Sequence, residues 1–186
     1  FSSERLLNFL NRAIENVDLK KEKRVLENKL FHSYEIIGKS QSIEKVKNLI
    51  NKLKNAESRI FISGPAGSGK ELVARQIHKQ SLRSKKPFVV VNGALLDPQR
   101  YELELFGSEN PNDTTSYGFF EKAKGGTLLI DEVTEIPLET QAKISRVLID
   151  QKFRRVNGSN EINVNVRIIS TSSKNIREEV DKGNFR

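Results

Sequence analysis

The stretch RIFISGPAGSGKELVARQI, from Arg59 to Ile77, limits the possible folds more than any other part of this chain. Arg59 to Ser63 reads as a short buried strand, and Leu72, Val73, Ala74 and Ile77 give the following segment an apolar helical face. Between them lies the glycine-rich turn Gly64-Pro65-Ala66-Gly67-Ser68-Gly69-Lys70. A strand, such a turn and a helix in this order form a phosphate-binding loop. Its glycines let backbone N–H groups turn inward around a polyphosphate, the helix N-terminus points at the same place, and Lys70 reaches the outer phosphates. The implied ligand is ATP or GTP.

Such a loop needs an acidic partner for the metal, and Gly125-Gly126-Thr127-Leu128-Leu129-Ile130-Asp131-Glu132 supplies one about sixty residues later. Three consecutive apolar residues suit a strand buried on both faces. Asp131 and Glu132 then fall at its C-terminal edge, where open α/β sheets bind ligands. Asp131 is the expected Mg²⁺ residue, directly or through water, and Glu132 the expected base for an attacking water. Taken alone, two acids ending a strand also suit an ordinary turn. The phosphate loop upstream is what favours the catalytic reading.

The rest of the chain alternates strand and helix. Strands are expected at Arg59 to Ser63, Pro87 to Asn92, Thr127 to Asp131 and Val164 to Thr171; helices at Ile43 to Leu53, Glu71 to Ser81, Asp97 to Phe106 and Leu138 to Asp150. Pro98 and Pro137 suit first helical turns. Repeated β-then-α predicts a parallel sheet sandwiched by helices. Upstream, Leu6, Leu7, Leu10, Ile14 and Val17 recur at helical spacing, and Leu19, Val25, Leu26 and Leu30 continue the pattern in a charged stretch. That pattern fits a solvated surface helix as well as a dimerising one.

Composition removes several function classes. With no Cys there are no disulfides or thiolate metal sites, and His32 and His78 are too isolated to suggest a metal cluster. No apolar run approaches the ~20 residues of a membrane span, so no membrane partner is expected. The net charge of +8 raises nucleic acid as a partner. The basic residues are scattered in short pairs such as Lys85-Lys86 and Arg154-Arg155, however, which suits a solvated surface better than a groove reader. With no Met and a start at Phe1, the chain reads as a segment of something longer.

Several ordered motifs carry a family resemblance. They are GPAGSGKELVARQIH from Gly64, PFVVVNGAL from Pro87, ELFG from Glu104, GFFE from Gly118, KGGTLLIDEV from Lys124, IPLETQAKISRVL from Ile136 and FRRVNG from Phe153. Together they resemble the AAA+ domain of the NtrC family of sigma-54 activators, over Ile37 to Arg186. The resemblance implies ATP and Mg²⁺ as cofactors, with Gly64, Pro65, Ala66, Gly67, Ser68, Gly69, Lys70, Glu71 and Leu72 around the phosphates. Glu71 stands where generic phosphate loops carry Ser or Thr; in the resembled family Glu is usual. Ile37 and Gly38 would pack on the adenine, and Ser173 takes the sensor I position, where a longer polar residue often approaches the γ-phosphate. Arg186 matches an arginine that acts on a neighbour's ATP, although a frayed tail is the simpler expectation for a terminal Arg.

The same resemblance makes residues 1–31 the end of a receiver domain running into a linker helix. Residues 32–186 are then an AAA+ domain cut before its lid subdomain. It implies self-association as a dimer or higher oligomer, a sensor histidine kinase acting on the missing receiver, and DNA contact through a C-terminal helix-turn-helix outside this chain. It also implies RNA polymerase as a candidate partner and the cytoplasm as the expected compartment. One departure stands out: sigma-54 activators carry a Gly-Ala-Phe-Thr-Gly-Ala loop between ELFG and GFFE. Here Ser108 to Tyr117 reads SENPNDTTSY, a polar turn-forming interval without a hydrophobic probe. That feature resembles the NtrX-like branch. Three readings stay open: an NtrX-like regulator not acting by sigma-54 remodelling, a working sigma-54 activator ATPase, and a non-hydrolysing DNA-bound dimer.

Overall fold

The computed structural model describes residues 35–109 and 115–186. The expected Phe1 to Leu30 helix and residues 110–114 of the polar interval lie outside them. Two compact units divide the chain, Phe1–Ile37 and Gly38–Arg186. The second runs α1 (Gln41–Leu53), β1 (Ile60–Ser63), α2 (Lys70–Lys79), β2 (Phe88–Asn92) and α3 (Tyr101–Phe106). A short ladder of β3 (Ser108–Glu109) and β4 (Thr115–Ser116), a single helical turn α4 (Phe119–Lys122), β5 (Thr127–Asp131) and α5 (Leu138–Asp150) follow. The β6–β7 hairpin (Lys152–Arg154 with Glu161–Asn163), β8 (Arg167–Ser172) and α6 (Ile176–Asp181) complete it.

The four long strands form a parallel sheet in the order β1-β8-β5-β2. Leu128, Leu129 and Ile130 are fully buried in β5, as an apolar run without alternation requires. Parallel pairing puts the C-terminal ends of all four strands at one edge. That edge carries Ser63, Asn92, Asp131 and Ser172.

The predicted α5 and β5 have the observed bounds, and α1, β1 and β2 differ by one or two residues at their starts. Three expectations need correction. The helix expected from Asp97 begins only at Tyr101, because the Asp97 side chain accepts Gln99 N–H (3.0 Å) and its carbonyl accepts Arg100 N–H (2.8 Å). Pro98 therefore belongs to a turn closed by Arg100 N–H on Asp97 O, not to a first helical turn. The strand expected from Val164 begins at Arg167. Val164 and Val166 are buried, yet Val164 N–H donates to Gln151 O and Asn165 O receives Gly125 N–H, so neither joins the ladder to β5. Helix α2 spans Lys70–Lys79 instead of Glu71 to Ser81, its end closed by Ser81 Oγ donating to His78 O at 2.7 Å.

Below the sheet edge, the rings of Phe106, Phe120 and Phe153 meet at centroid distances of 5.5 to 6.0 Å. Burial of each ring contributes about 2 kcal/mol, which anchors the β6–β7 hairpin to α3 and α4. Arg155, just past β6, completes the attachment. Its guanidinium takes both oxygens of Glu121 (2.8 and 2.7 Å) and one of Glu109 (2.5 Å), and lies 5.2 Å from the Tyr117 ring centroid. Glu109 N–H also donates to Val156 O, and Val156 N–H to Gly107 O. At Gly107, with φ +74°, a Cβ would meet Ser116 O at 2.1 Å, so only glycine lets the two ladder strands close here.

His78 is buried on α2, with Nδ1 2.9 Å from Thr127 Oγ1 on β5. Burial, with Arg167, Arg75 and Arg83 adding to it, lowers its pKa from 6.5 to about 4 against an opposing Lys86 backbone bond. The unfolded chain therefore takes up a proton at a pH where the folded one refuses it. Stability present above pH 6.5 is lost as pH falls through that value and levels off near pH 4, a loss of about 3 kcal/mol. Urea midpoints between pH 7.5 and 4.5 for the native chain and His78→Phe check this: the native midpoint should fall more steeply.

Candidate nucleotide-binding site

The site is built where β1 passes into α2. Gly64 N–H donates to Ser172 O (3.3 Å), Ser68 N–H to Pro65 O (3.2 Å), and Val73 N–H to Gly69 O (3.0 Å), which curls the loop over the helix start. Gly67 and Gly69 take φ of +76° and +87°, values that L side chains rarely adopt, and the space beside Gly67 is open. Lys70 turns back into the loop, where Nζ donates to Gly64 O (3.0 Å) and Pro65 O (3.3 Å) and pairs with Glu132 Oε1 (3.2 Å). A nearly buried ammonium ringed by a loop of this shape suits a polyphosphate.

Asp131 ends β5 opposite Asn92 of β2. Its Oδ2 accepts from Asn92 Nδ2 (3.0 Å) and its Oδ1 from Thr171 Oγ1 (2.5 Å). Both donors are neutral, so they orient the carboxylate without neutralising it, which fits a hydrated divalent cation. Glu132 follows with φ 51° and ψ 55°, a left-handed conformation that costs about 1 kcal/mol for a residue with a Cβ. Its N–H donates to Thr171 Oγ1 (3.2 Å), and Oε2 receives both the N–H and the hydroxyl of Ser173, each at 2.8 Å. Burial would raise the Glu132 carboxyl, but the two Ser173 bonds and Lys70 outweigh it and hold the group below the usual carboxylate range.

Lys70, Glu132 and Ser173 are thus joined directly, and Asp131 is linked to Glu132 through Thr171. Ser173 reaches Glu132 with both its polar groups. Other expected residues lie elsewhere. The Glu71 carboxylate turns outward to Arg75 (2.6 Å), leaving its backbone N–H, with that of Leu72, as its contribution at the helix start. Gly38 gives its carbonyl to Lys47 Nζ (2.7 Å), and Ile37 is exposed. Arg186 is exposed and is not drawn to Lys70 or Glu132. The expectation of a frayed tail is nevertheless overturned: Phe185 packs against the core, and Arg186 N–H donates to Gln141 Oε1 at 3.1 Å.

Sequence reasoning missed Asn92 and Thr171. The signal for Asn92 was a polar residue ending the apolar run Val89-Val90-Val91; Thr171 was hidden among Ser170, Ser172 and Ser173. A separate cleft of about 780 Å³, between α3, α5 and the β6–β7 hairpin, is rimmed by Lys143, Arg146, Lys152 and Arg154. Those cations are already paired with Glu102, Asp150 and Glu161, so the cleft offers no comparable anion site.

The family model described as the sigma-54 interaction domain matches residues 36–186. The nitrogen assimilation regulatory protein NtrX of Azorhizobium caulinodans is 41% identical over the whole of this chain, which covers 41% of that protein. The solved structure of NtrX from Brucella abortus superposes with a TM-score of 0.88 at 43% identity, again over the whole of this chain and 41% of that one. The same Brucella protein in complex with ATP gives a TM-score of 0.83 at 43% identity, over all of this chain and 42% of that one. The chain therefore spans about two fifths of the length of these relatives. Over that span the chain belongs to the sigma-54 interaction domain family and is NtrX-like in sequence.

Proposed function

We propose that this chain is the ATP-binding AAA+ segment of a two-component response regulator that controls transcription by a route other than sigma-54 remodelling. The observation that carries the reading is Lys70 Nζ, held within 3.3 Å of two loop carbonyls and Glu132 at the start of α2. The ATP complex of the Brucella relative supports the choice of nucleotide. The backbone N–H groups from Ala66 to Leu72 and Lys70 would hold the phosphates. Asp131 would hold Mg²⁺, which supplies charge neutralisation and orientation of the phosphates when bound. Glu132 would accept the proton of an attacking water, and Arg186 of one subunit would face the nucleotide of the next.

The polar interval from Ser108 to Tyr117 opposes a sigma-54 motor, because a motor that remodels a partner needs an apolar grip. Residues 1–31 would link a receiver, addressed by a sensor kinase, to the AAA+ unit. DNA contact would come from a helix-turn-helix outside this chain, in the cytoplasm. A second reading, a non-hydrolysing DNA-bound dimer, is favoured by one observation: Glu132 is engaged on both oxygens by Lys70 and Ser173 and held in its weakly basic form.

Phosphate release from Mg·ATP, measured against concentration of the full-length protein with Glu132→Gln as control, separates the two. A rate per subunit that climbs with concentration and vanishes in the variant is expected. Tight ATP binding with no turnover at any concentration would replace the first reading by the non-hydrolysing dimer.

A further inference from the structure

Gln141 lies on α5, away from the phosphate loop, and is buried. Its side-chain amide makes three backbone bonds: Nε2 donates to Ile136 O (2.7 Å) and Asn184 O (3.0 Å), while Oε1 accepts Arg186 N–H (3.1 Å). Two carbonyls and one N–H as partners allow only one orientation of the amide, so the group is fixed as well as satisfied.

Its partners belong to two segments with different tasks. Ile136 ends the single 3-10 turn Val133–Glu135 that leaves Glu132, closed by Glu135 N–H on Glu132 O (3.0 Å) and Ile136 N–H on Val133 O (3.3 Å). Only that turn separates the acid from the carbonyl Gln141 grips. On the other side, Asn184 and Phe185 donate their N–H groups to Glu179 O, which ties them to α6. Without Gln141, nothing in that pair of bonds would connect the Arg186 backbone to the Glu132 turn.

We infer that Gln141 is a positioning residue that couples the Glu132 turn to the backbone presenting Arg186, so that one subunit's acid and the arginine it offers its neighbour move together. The inference rests on the reading above that Arg186 acts across a subunit boundary. A displacement of the arginine by about 1 Å is enough to weaken such a contact on the order of a hundredfold. Coupling therefore requires a buried amide of this kind and not a solvated contact.

The test uses the full-length protein, a fluorescent ATP analogue and three forms: native, Arg186→Ala and Gln141→Met. Met keeps the length and stem of Gln while removing both hydrogen-bonding groups, and Gln141→Ala replaces it should Met fail to fold. Amide exchange across α5 reports folding. Native affinity is expected to tighten about tenfold as protein concentration drives assembly. That gain should disappear in Arg186→Ala and Gln141→Met alike, with affinity at low concentration unchanged in Gln141→Met. Exchange at the Arg186 amide should quicken in Gln141→Met. A native affinity that ignores concentration overturns the arginine reading and the inference with it. A gain lost in Arg186→Ala but kept in Gln141→Met overturns the inference alone.

Discussion

Replacing Lys70 with alanine is expected to weaken ATP binding on the order of a thousandfold while leaving the chain folded. Lys70 would make at least two charge-assisted bonds to phosphate oxygens, each worth about 1.5–3 kcal/mol, or about 4 kcal/mol together. At 1.4 kcal/mol per decade that is a factor near a thousand. The folded body should tolerate the loss, because the Gly64 and Pro65 carbonyls released from Nζ face the open loop. The same change removes one of the groups holding Glu132 in its charged form, so that carboxyl should titrate higher than in the native chain. Titration calorimetry with ATP, alongside thermal unfolding, reads both effects. An affinity within tenfold of native would mean that the loop amides alone carry the phosphates.

Arg155→Ala should destabilise the folded chain by about 4 kcal/mol. Removing one partner of a buried pair costs about 3–5 kcal/mol, since the other is left charged without compensation. Here the guanidinium, 14% exposed, leaves two carboxylates behind, Glu121 at 12% and Glu109 at 26%. The partial exposure of Glu109 moderates the cost, and the second stranded acid offsets that. The bonds from Glu121, and after them Glu109, hold the Arg155 pKa well above the usual guanidinium value. Urea unfolding would measure the loss, with a fall in Tm of about 10 °C expected for a domain of this size. Arg155→Lys should recover little, because an ammonium cannot take both oxygens of Glu121 in a fork. A change under 1 kcal/mol would mean that the phenylalanine cluster alone anchors the hairpin.

The phosphate loop and β5 were legible because each is a local signal: glycines and a lysine at fixed spacing, and an apolar run ended by acids. Asn92 and Thr171 were not, since their meaning comes from register. Asn92 is brought beside Asp131 only by the pairing of β2 with β5. Ser173 reads as a short substitute in the sequence, but β8 ends so that its backbone N–H and hydroxyl meet one carboxylate oxygen. The misplaced start of α3 has a local cause, a turn in which the Asp97 side chain accepts Gln99 N–H and its carbonyl accepts Arg100 N–H. Gln141 looked like one polar position on an amphipathic helix. Its three partners are separated from it by up to 45 residues, which no periodicity reveals.

The Arg155 clamp also bears on how the polar interval can vary. The β3–β4 ladder pairs Ser108 with Ser116 and Glu109 with Thr115, and Arg155 holds it at its root by Glu109. The ladder is thus closed at the Glu109–Thr115 rung by bonds among the described residues. For a flexible connection, doubling the length costs about 0.6 kcal/mol in closure entropy, far less than the loss of the clamp. Segments of different length and chemistry grafted between Glu109 and Thr115 should therefore leave the clamp and its ladder unchanged.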